Sequence, residues 1–553
     1  MKIKSLLVGM LACTALVGCS NEDEVLNGAE AAKGEKGYIA VNFAMPGGVQ
    51  SRATTADGNG NGNVFESGTR EEVAVKDAVF LFLDGNFKGC AKPYYIENFS
   101  GGWDDANGTG VDKENKVVVV EGAKGEVPSY IVAILNPTDY SEANYNATTT
   151  LADLKNRFAT YRTAENFVMS NAVYQAGNKK EMVATPVELD NIAFSEEGLE
   201  AENYKPVTIQ VERVVAKVAV TGLDKAIDNL NKEGLTETID DAEDMKLKFV
   251  LTGWEVLQAN ESRLIKNIDA TDWTITSWND VALKRSYWAN DYQNTLANRT
   301  SYDVTKMRDT AHKYVEETVN QTPLAASVIN DANPYLLVAG KFVDANDKAV
   351  DLVEWRGQKY TAEGYLEFIA GYAELSQYYT AQEIEKDGKK VTKYTSFSAD
   401  LLKLADDKTT DWKAQAVLKD PDTKFYTVEF EADGKTIKKG TPVTDVNVAE
   451  IIDDFGYVQY WNGGNTYYFV PIKHQTATAA TDDAPATNYY GVVRNHYYKV
   501  NISQIIGYGT PVSDPAQYID SPEVPEDEES WMAATIEILD WKVVENNDVV
   551  LGQ

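Results

Sequence analysis

The chain has 553 residues, 43% of them apolar, and a formal charge of −33. That length accommodates more than one domain and sizeable cores. The charge excludes a nucleic-acid partner, which needs a basic surface, and suits a water-exposed surface or secreted protein.

The first residues form a leader. Lys2 and Lys4 are followed by an apolar run over residues 6–17, of signal-peptide length and too short to span a bilayer. It closes in Leu16-Val17-Gly18-Cys19, which resembles a bacterial lipoprotein signal, with an ordinary signal peptide as the alternative. Ser-Asn-Glu-Asp-Glu at 20–24 looks like the acidic export tag of Bacteroidales surface lipoproteins. No later apolar run reaches ~18–20 residues, so no transmembrane helix is expected. Cys13 and Cys19 belong to the leader, leaving Cys90 alone in the body; stability must come from packing rather than an intramolecular disulfide.

Residues 38–45 alternate, with Ile39, Val41, Phe43 and Met45 on one face of an expected strand that ends at Pro46-Gly47-Gly48. Arg52 and Ala53 follow, then a Gly/Asn-rich run over 57–63. That run is similar to a calcium loop, but position twelve is Gly68 where a Glu is needed, so an exposed loop open to proteolysis is expected. The 31 tyrosines with many Val and Thr favour strands. Strands are read at 73–83, 130–135, 167–171, 207–220, 247–256, 335–343, 457–472 and 491–502, with a helix near 149–161. Asn462-Gly463-Gly464-Asn465 reads as a hairpin turn. Amphipathic helices are expected near 295–320, 361–380 and 397–417, as insertions on a β core. No fixed-period repeat is evident.

The last strand stands apart. Met532, Ala534, Ile536 and Ile538 alternate over 531–541, which ends in Trp541. Before it, residues 511–529 hold four prolines among Asp514, Asp520, Glu523 and Glu526 to Glu529, a composition expected to stay extended and solvated. Two readings are open: a final strand of the chain's own sheet, or a strand lent to another molecule.

No catalytic constellation appears. His312, His474 and His496 lack metal-ligand spacing, and Gly434-Lys435-Thr436 lacks the earlier Gly of a phosphate loop, having Glu429 there. No cofactor or metal is expected. The pairs Tyr460-Trp461 and Tyr467-Tyr468 could stack on sugars, though strand cores use the same residues.

Together these stretches resemble the Bacteroidales type V fimbrillins, most closely the major shaft pilin of the short-fimbria type. The resemblance is carried by the leader, 38–52, Glu212 to Ala216, the region around Trp254, Gly340-Lys341-Phe342, Val492-Val493-Arg494-Asn495, and the terminal strand ending Trp541-Lys542. It implies a mainly β chain with two transthyretin-like sandwiches and helical insertions in the second. The expected division is a signal peptide at 1–18, a propeptide at 19–52, sandwiches at 53–214 and 215–510, a tether at 511–529 and a donor strand at 530–553. It also implies lipidation at Cys19 at the outer membrane and cleavage between Arg52 and Ala53 by an Arg-specific protease. The first strand then leaves, and the terminal strand of another copy replaces it in an extracellular fimbria containing anchor and tip subunits. Arg70 is a second possible cut. The alternative is a monomeric surface lipoprotein that captures glycans. Neither reading calls for an enzyme.

Overall fold

The computed structural model describes residues 36–44, 72, 74–98, 116–121, 127–159, 167–173, 183–194, 196–233, 245–268, 279–280, 285–286, 289, 300–319, 334–406, 412–475, 489–516, 518–519, 531–539 and 544–545. The fold is mainly β. Among the described residues no helix is long and apolar enough to cross a membrane.

The first unit contains β1 (Lys36–Ala44), β2 (Ala78–Leu83), β3 (Tyr94–Ile96), β4 (Lys116–Glu121), β5 (Tyr130–Leu135), β6 (Met169–Asn171) and β7 (Val207–Arg213), in the sheet order β3-β2-β5-β6-β7-β1-β4. β2 and β5 are buried at every position. Their apolar runs do not alternate, as fits strands covered on both faces. The expected helix near 149–161 is short, Leu151–Lys155, started by a capping box between Thr150 and Asp153. The core of this unit also takes Leu264, Ile265 and Ile268 from beyond residue 214.

The second unit contains β8 (Val215–Thr221), β9 (Lys248–Leu257), β10 (Lys313–Glu316), β11 (Tyr335–Val343), β12 (Asn465–Pro471), β13 (Tyr497–Ile506), β14 (Thr510–Pro511), β15 (Trp531–Leu539) and β16 (Val544–Glu545). One sheet runs β10-β8-β13-β15-β16 and the other β9-β11-β12-β14. They share a core that includes Val218, Trp254, Val338, Tyr468, Val500 and Met532. This is a sandwich.

The two units repeat one topology. β1 runs antiparallel to β4 and parallel to β7. β8 runs antiparallel to β10 and parallel to β13. Both units also use the same turn, Asp84-x-Asn86-x-Lys88 and Asp344-x-Asn346-x-Lys348. In each, the Asp carboxylate accepts two backbone N–H bonds of 2.8 and 2.9 Å. This repeat has no constant period, so a periodicity search misses it. The spacing Asp-x-Asn-x-Lys is the signal that could have found it.

The insertions contain more strand than helix. Residues 397–417, expected as a helix, hold strands Leu402–Asp406 and Lys413–Leu418. Ala414, Ala416 and Leu418 are buried at alternate positions, a period of two rather than 3.6. Among the described residues of the 295–320 segment there are β10, the short strand Thr318–Val319 and one 3-10 turn, Val304–Lys306, but no α-helix. Only 361–380 carries a real helix, Ala362–Ala370, capped by Thr361. The chain between β11 and β12 forms a body with its own core, including Tyr365, Ile369, Ala414 and Val458.

Two further expectations are corrected. Asn462-Gly463-Gly464 is no hairpin turn, because Tyr457–Trp461 belongs to the inserted sheet while β12 belongs to the sandwich. Both glycines have positive φ, and a Cβ on Gly464 would meet the Phe342 carbonyl oxygen at 2.4 Å. The acidic tether does not begin at 511: Val512 and Ile519 are fully buried against Tyr335, Leu337 and Tyr467 on the outer face of β11 and β12. Acidic, proline-rich composition averages over two apolar anchors that are enough to dock this segment.

Gly253 sits at the β-bulge in β9, where a Cβ would lie 2.3 Å from the backbone of Arg308. Backbone cannot yield as a side-chain tip can. Gly253→Ala is expected to lower stability by about 1–3 kcal/mol, read as a smaller urea midpoint with an unchanged slope.

Candidate functional site: the two terminal strands and the junction between them

β1 lies inside its sheet, not at an edge. Ile39 pairs across from Val118, and Val41 and Phe43 from Val207 and Ile209. Ile39 and Val41 are fully buried in the first core. Phe43 holds its register position, and Met45 lies outside the described residues. Tyr204, which sequence reasoning missed, adds a clamp: its hydroxyl accepts the backbone N–H of Ala40. Burial pushes the Tyr204 phenol above its usual range, so it stays neutral.

β15 is paired with β13 of its own chain. The register sets Met532, Ala534, Ile536 and Ile538 opposite Ile505, Ile502, Val500 and Tyr498, all four of which are buried. Met532 itself is buried in the sandwich core. Cys19, Arg52, Ala53 and Trp541 lie outside the described residues.

Between these strands the structure gathers charged residues that spacing could not connect. Arg213 Nε donates to the Glu72 carbonyl at 2.7 Å, and Lys217 Nζ donates to the Glu72 carboxylate at 2.8 Å. The Tyr314 hydroxyl donates to the same carboxylate. Arg494 Nε meets the Glu317 carboxylate at 2.8 Å, and its outer nitrogens donate to the carbonyls of Arg263 and Leu264. Asn495 stands at φ 58°, a left-handed position Asn tolerates. It donates its backbone N–H to the Val215 carbonyl at 2.7 Å and accepts from Arg213 at 3.1 Å. Glu212 and Lys266, both fully buried, pair at 3.8 Å. The stretches Glu212 to Ala216 and Val492 to Asn495 are therefore two halves of one junction. Burial and the nearby Lys217 hold the His312 imidazole below its usual range.

This arrangement ties distant segments of the one chain together. Among the described residues no three His, Cys, Asp or Glu side chains are grouped to hold a metal ion. His474 and His496 are buried; His474 Nδ1 shares a 2.6 Å hydrogen bond with the Tyr498 hydroxyl.

Residues 459–547 match the family model described as major fimbrial subunit protein type IV, Fimbrillin, C-terminal. The C-terminal region of the chain is fimbrillin-like. The match contains the Val492 to Asn495 half of the junction and the whole of β15. No curated protein sequence matches. Among solved structures this chain is similar to a Parabacteroides distasonis protein provisionally named a cell adhesion protein (8% identity, TM-score 0.36, 91% of this chain and 96% of that one). It is also similar to a fimbrilin from Porphyromonas gingivalis W83 (11%, 0.32, 92% and 98%). A third is the tip fimbrial protein Mfa3 of Porphyromonas gingivalis (12%, 0.30, 92% and 100%). The likeness to the fimbrillin family is carried by residues 459–547.

Glu317→Ala would leave the Arg494 guanidinium buried with only carbonyl partners. The expected loss is about 3 kcal/mol, visible as a lower thermal midpoint. Unchanged stability would mean that the ion pair is not what holds the junction.

Proposed function

We propose that this chain is a fimbrillin, a structural shaft subunit of a surface fimbria. It is exported as a lipoprotein acylated at Cys19, cut between Arg52 and Ala53 by an Arg-specific protease, and polymerised by strand exchange. The observation that carries the reading is the position of β1. It occupies an interior place between β4 and β7, yet one cut after Arg52 would separate it from everything C-terminal. Its departure would open a groove one strand wide, lined in part by Val118 and Ile209.

The strand that refills it would come from residues 530–553 of another copy. Each apolar side chain returned to such a groove contributes about 1.5–3 kcal/mol, and each main-chain hydrogen bond about 0.5–1.5. Leaving β13 costs the donor strand similar bonds, so the exchange is driven by the empty groove rather than by better fit. A head-to-tail contact of this kind is heterologous and produces open filaments. Anchor and tip subunits would close the two ends. Cutting also severs the lipid, moving the subunit from the outer membrane to the extracellular fibre. The role is structural and adhesive, without catalysis.

One observation favours a second reading, a monomeric surface lipoprotein that binds glycans: β15 is already paired within its own chain. The two readings separate at the mature terminus. Protein sheared from cells is expected to begin at Ala53 and run as high-mass ladders. Both Arg52→Ala and a chain truncated before Trp531 should lose the ladders. A mature end at acylated Cys19, monomeric in all three forms, would establish the second reading instead.

The junction also bears on which Arg is cut. A protease needs several residues on each side of the bond in extended form, and Glu72, two residues after Arg70, is anchored by Lys217, Tyr314 and Arg213. Limited digestion should therefore cut after Arg52, with Glu72→Gln raising the fraction cut after Arg70. Equal cutting at both in the unaltered chain would remove the anchor from the argument.

A further inference from the structure

The inserted body carries a second sheet that pairs with nothing else: Lys389–Ser396, Tyr379–Lys386, Phe425–Phe430 and Ile437–Pro442, in that order. It is two hairpins joined at their base, where Tyr379 pairs with Tyr426 and Thr380 with Phe425. One face is aromatic. Tyr394 and Tyr426 meet edge to face at 5.7 Å, and Tyr379 and Phe430 at 6.5 Å. Tyr394 lies directly over Gly440, where a Cβ would stand 2.3 Å from the ring. Phe430 is 45% exposed. The register places Glu383, Glu385 and Lys390 on this same face, with Glu383 diagonal to Tyr394 and paired to Lys390 at 3.3 Å.

We propose that this face is a glycan-binding platform that takes a run of neutral pyranose rings. A sugar ring has an apolar C–H face that stacks on an aromatic ring and a hydroxyl rim that bonds to carboxylates, so mixed rings and acids suit it on both counts. A second copy of the chain suits it poorly, for two reasons. Two strands of eight residues and two of six, about 4.8 Å apart, give a face of at most ~500 Å², below the ~800 Å² per partner of a stable protein interface. The outer edges carry Lys389, Lys390 and Lys393 on one side and Lys438 and Lys439 on the other, and lysines on an edge oppose strand pairing. Gly440 makes the platform pre-formed: only a residue without a side chain lets Tyr394 rest on the backbone. The proposal stands whether or not the chain polymerises.

The test uses the purified full-length chain and a panel of cellohexaose, xylohexaose, mannohexaose and desialylated mucin oligosaccharides, measured by calorimetry. At least one is expected to bind. Affinity should fall tenfold or more in Tyr394→Ala and in Gly440→Val, return in Tyr394→Phe, and leave the thermal midpoint unchanged throughout. The proposal is overturned if nothing on the panel binds or if all variants bind equally. It is also overturned if the face instead drives a concentration-dependent self-association that Tyr394→Ala abolishes in sedimentation.

Discussion

The structure depends on how charge is buried where the chain crosses from one unit to the next. A single residue, Val214, separates β7 from β8, and Glu212, Arg213 and Lys217 beside it are all buried. An ion held in a protein interior without a partner costs several kcal/mol. The partners come from far away in the chain: Glu72, Lys266, Tyr314 and Asn495. Arg494 and Glu317 extend the same cluster. Segments separated by hundreds of residues must converge on one point, and only one relative placement of the two units satisfies them all.

Within that frame the repeated topology gives β1 its significance. In each unit the first strand lies parallel to a later one, β7 in the first unit and β13 in the second. β8, the second example, continues almost directly from β7 and cannot be detached by one cut. β1, the first example, leads only into residues 45–71. Of two equivalent strands, one is built into the chain at both ends and the other at one. The inserted body sits apart from this architecture, tied to the sandwich through Leu352 and through Trp461, whose indole donates to the Tyr508 carbonyl at 3.1 Å. Such an addition can carry an exposed surface without disturbing either terminal strand.

Where apolar residues run in unbroken or alternating order, the sequence was readable. The strands at 130–135 and 335–343 were placed to the residue, because β-branched and aromatic runs have few other ways to be buried. The insertions were misread where Ala and Leu, good helix formers, sit at alternate positions over 413–418. Tertiary burial overrode local propensity there. The stretch 511–519 was misread because composition counts charges and prolines, whereas docking requires only Val512 and Ile519. Tyr204 and Glu72 carried no signal at all, since their partners lie 164 and 145 residues away.

By itself the sequence determined the strand-rich class, the apolar alternation of both terminal strands, and the family likeness carried by Arg494, Asn495 and the final strand. These follow from local periodicity and residue chemistry, which neighbours along the chain suffice to define. Only the tertiary structure decided that β1 is interior, that β15 pairs with β13, that two half-motifs form one ionic junction, and that four aromatics share one face of the inserted sheet. Each is a matter of which distant backbone groups and charges meet. That is settled by the joint demand to bury apolar surface and leave no ion unpaired, a demand that acts on the folded chain as a whole.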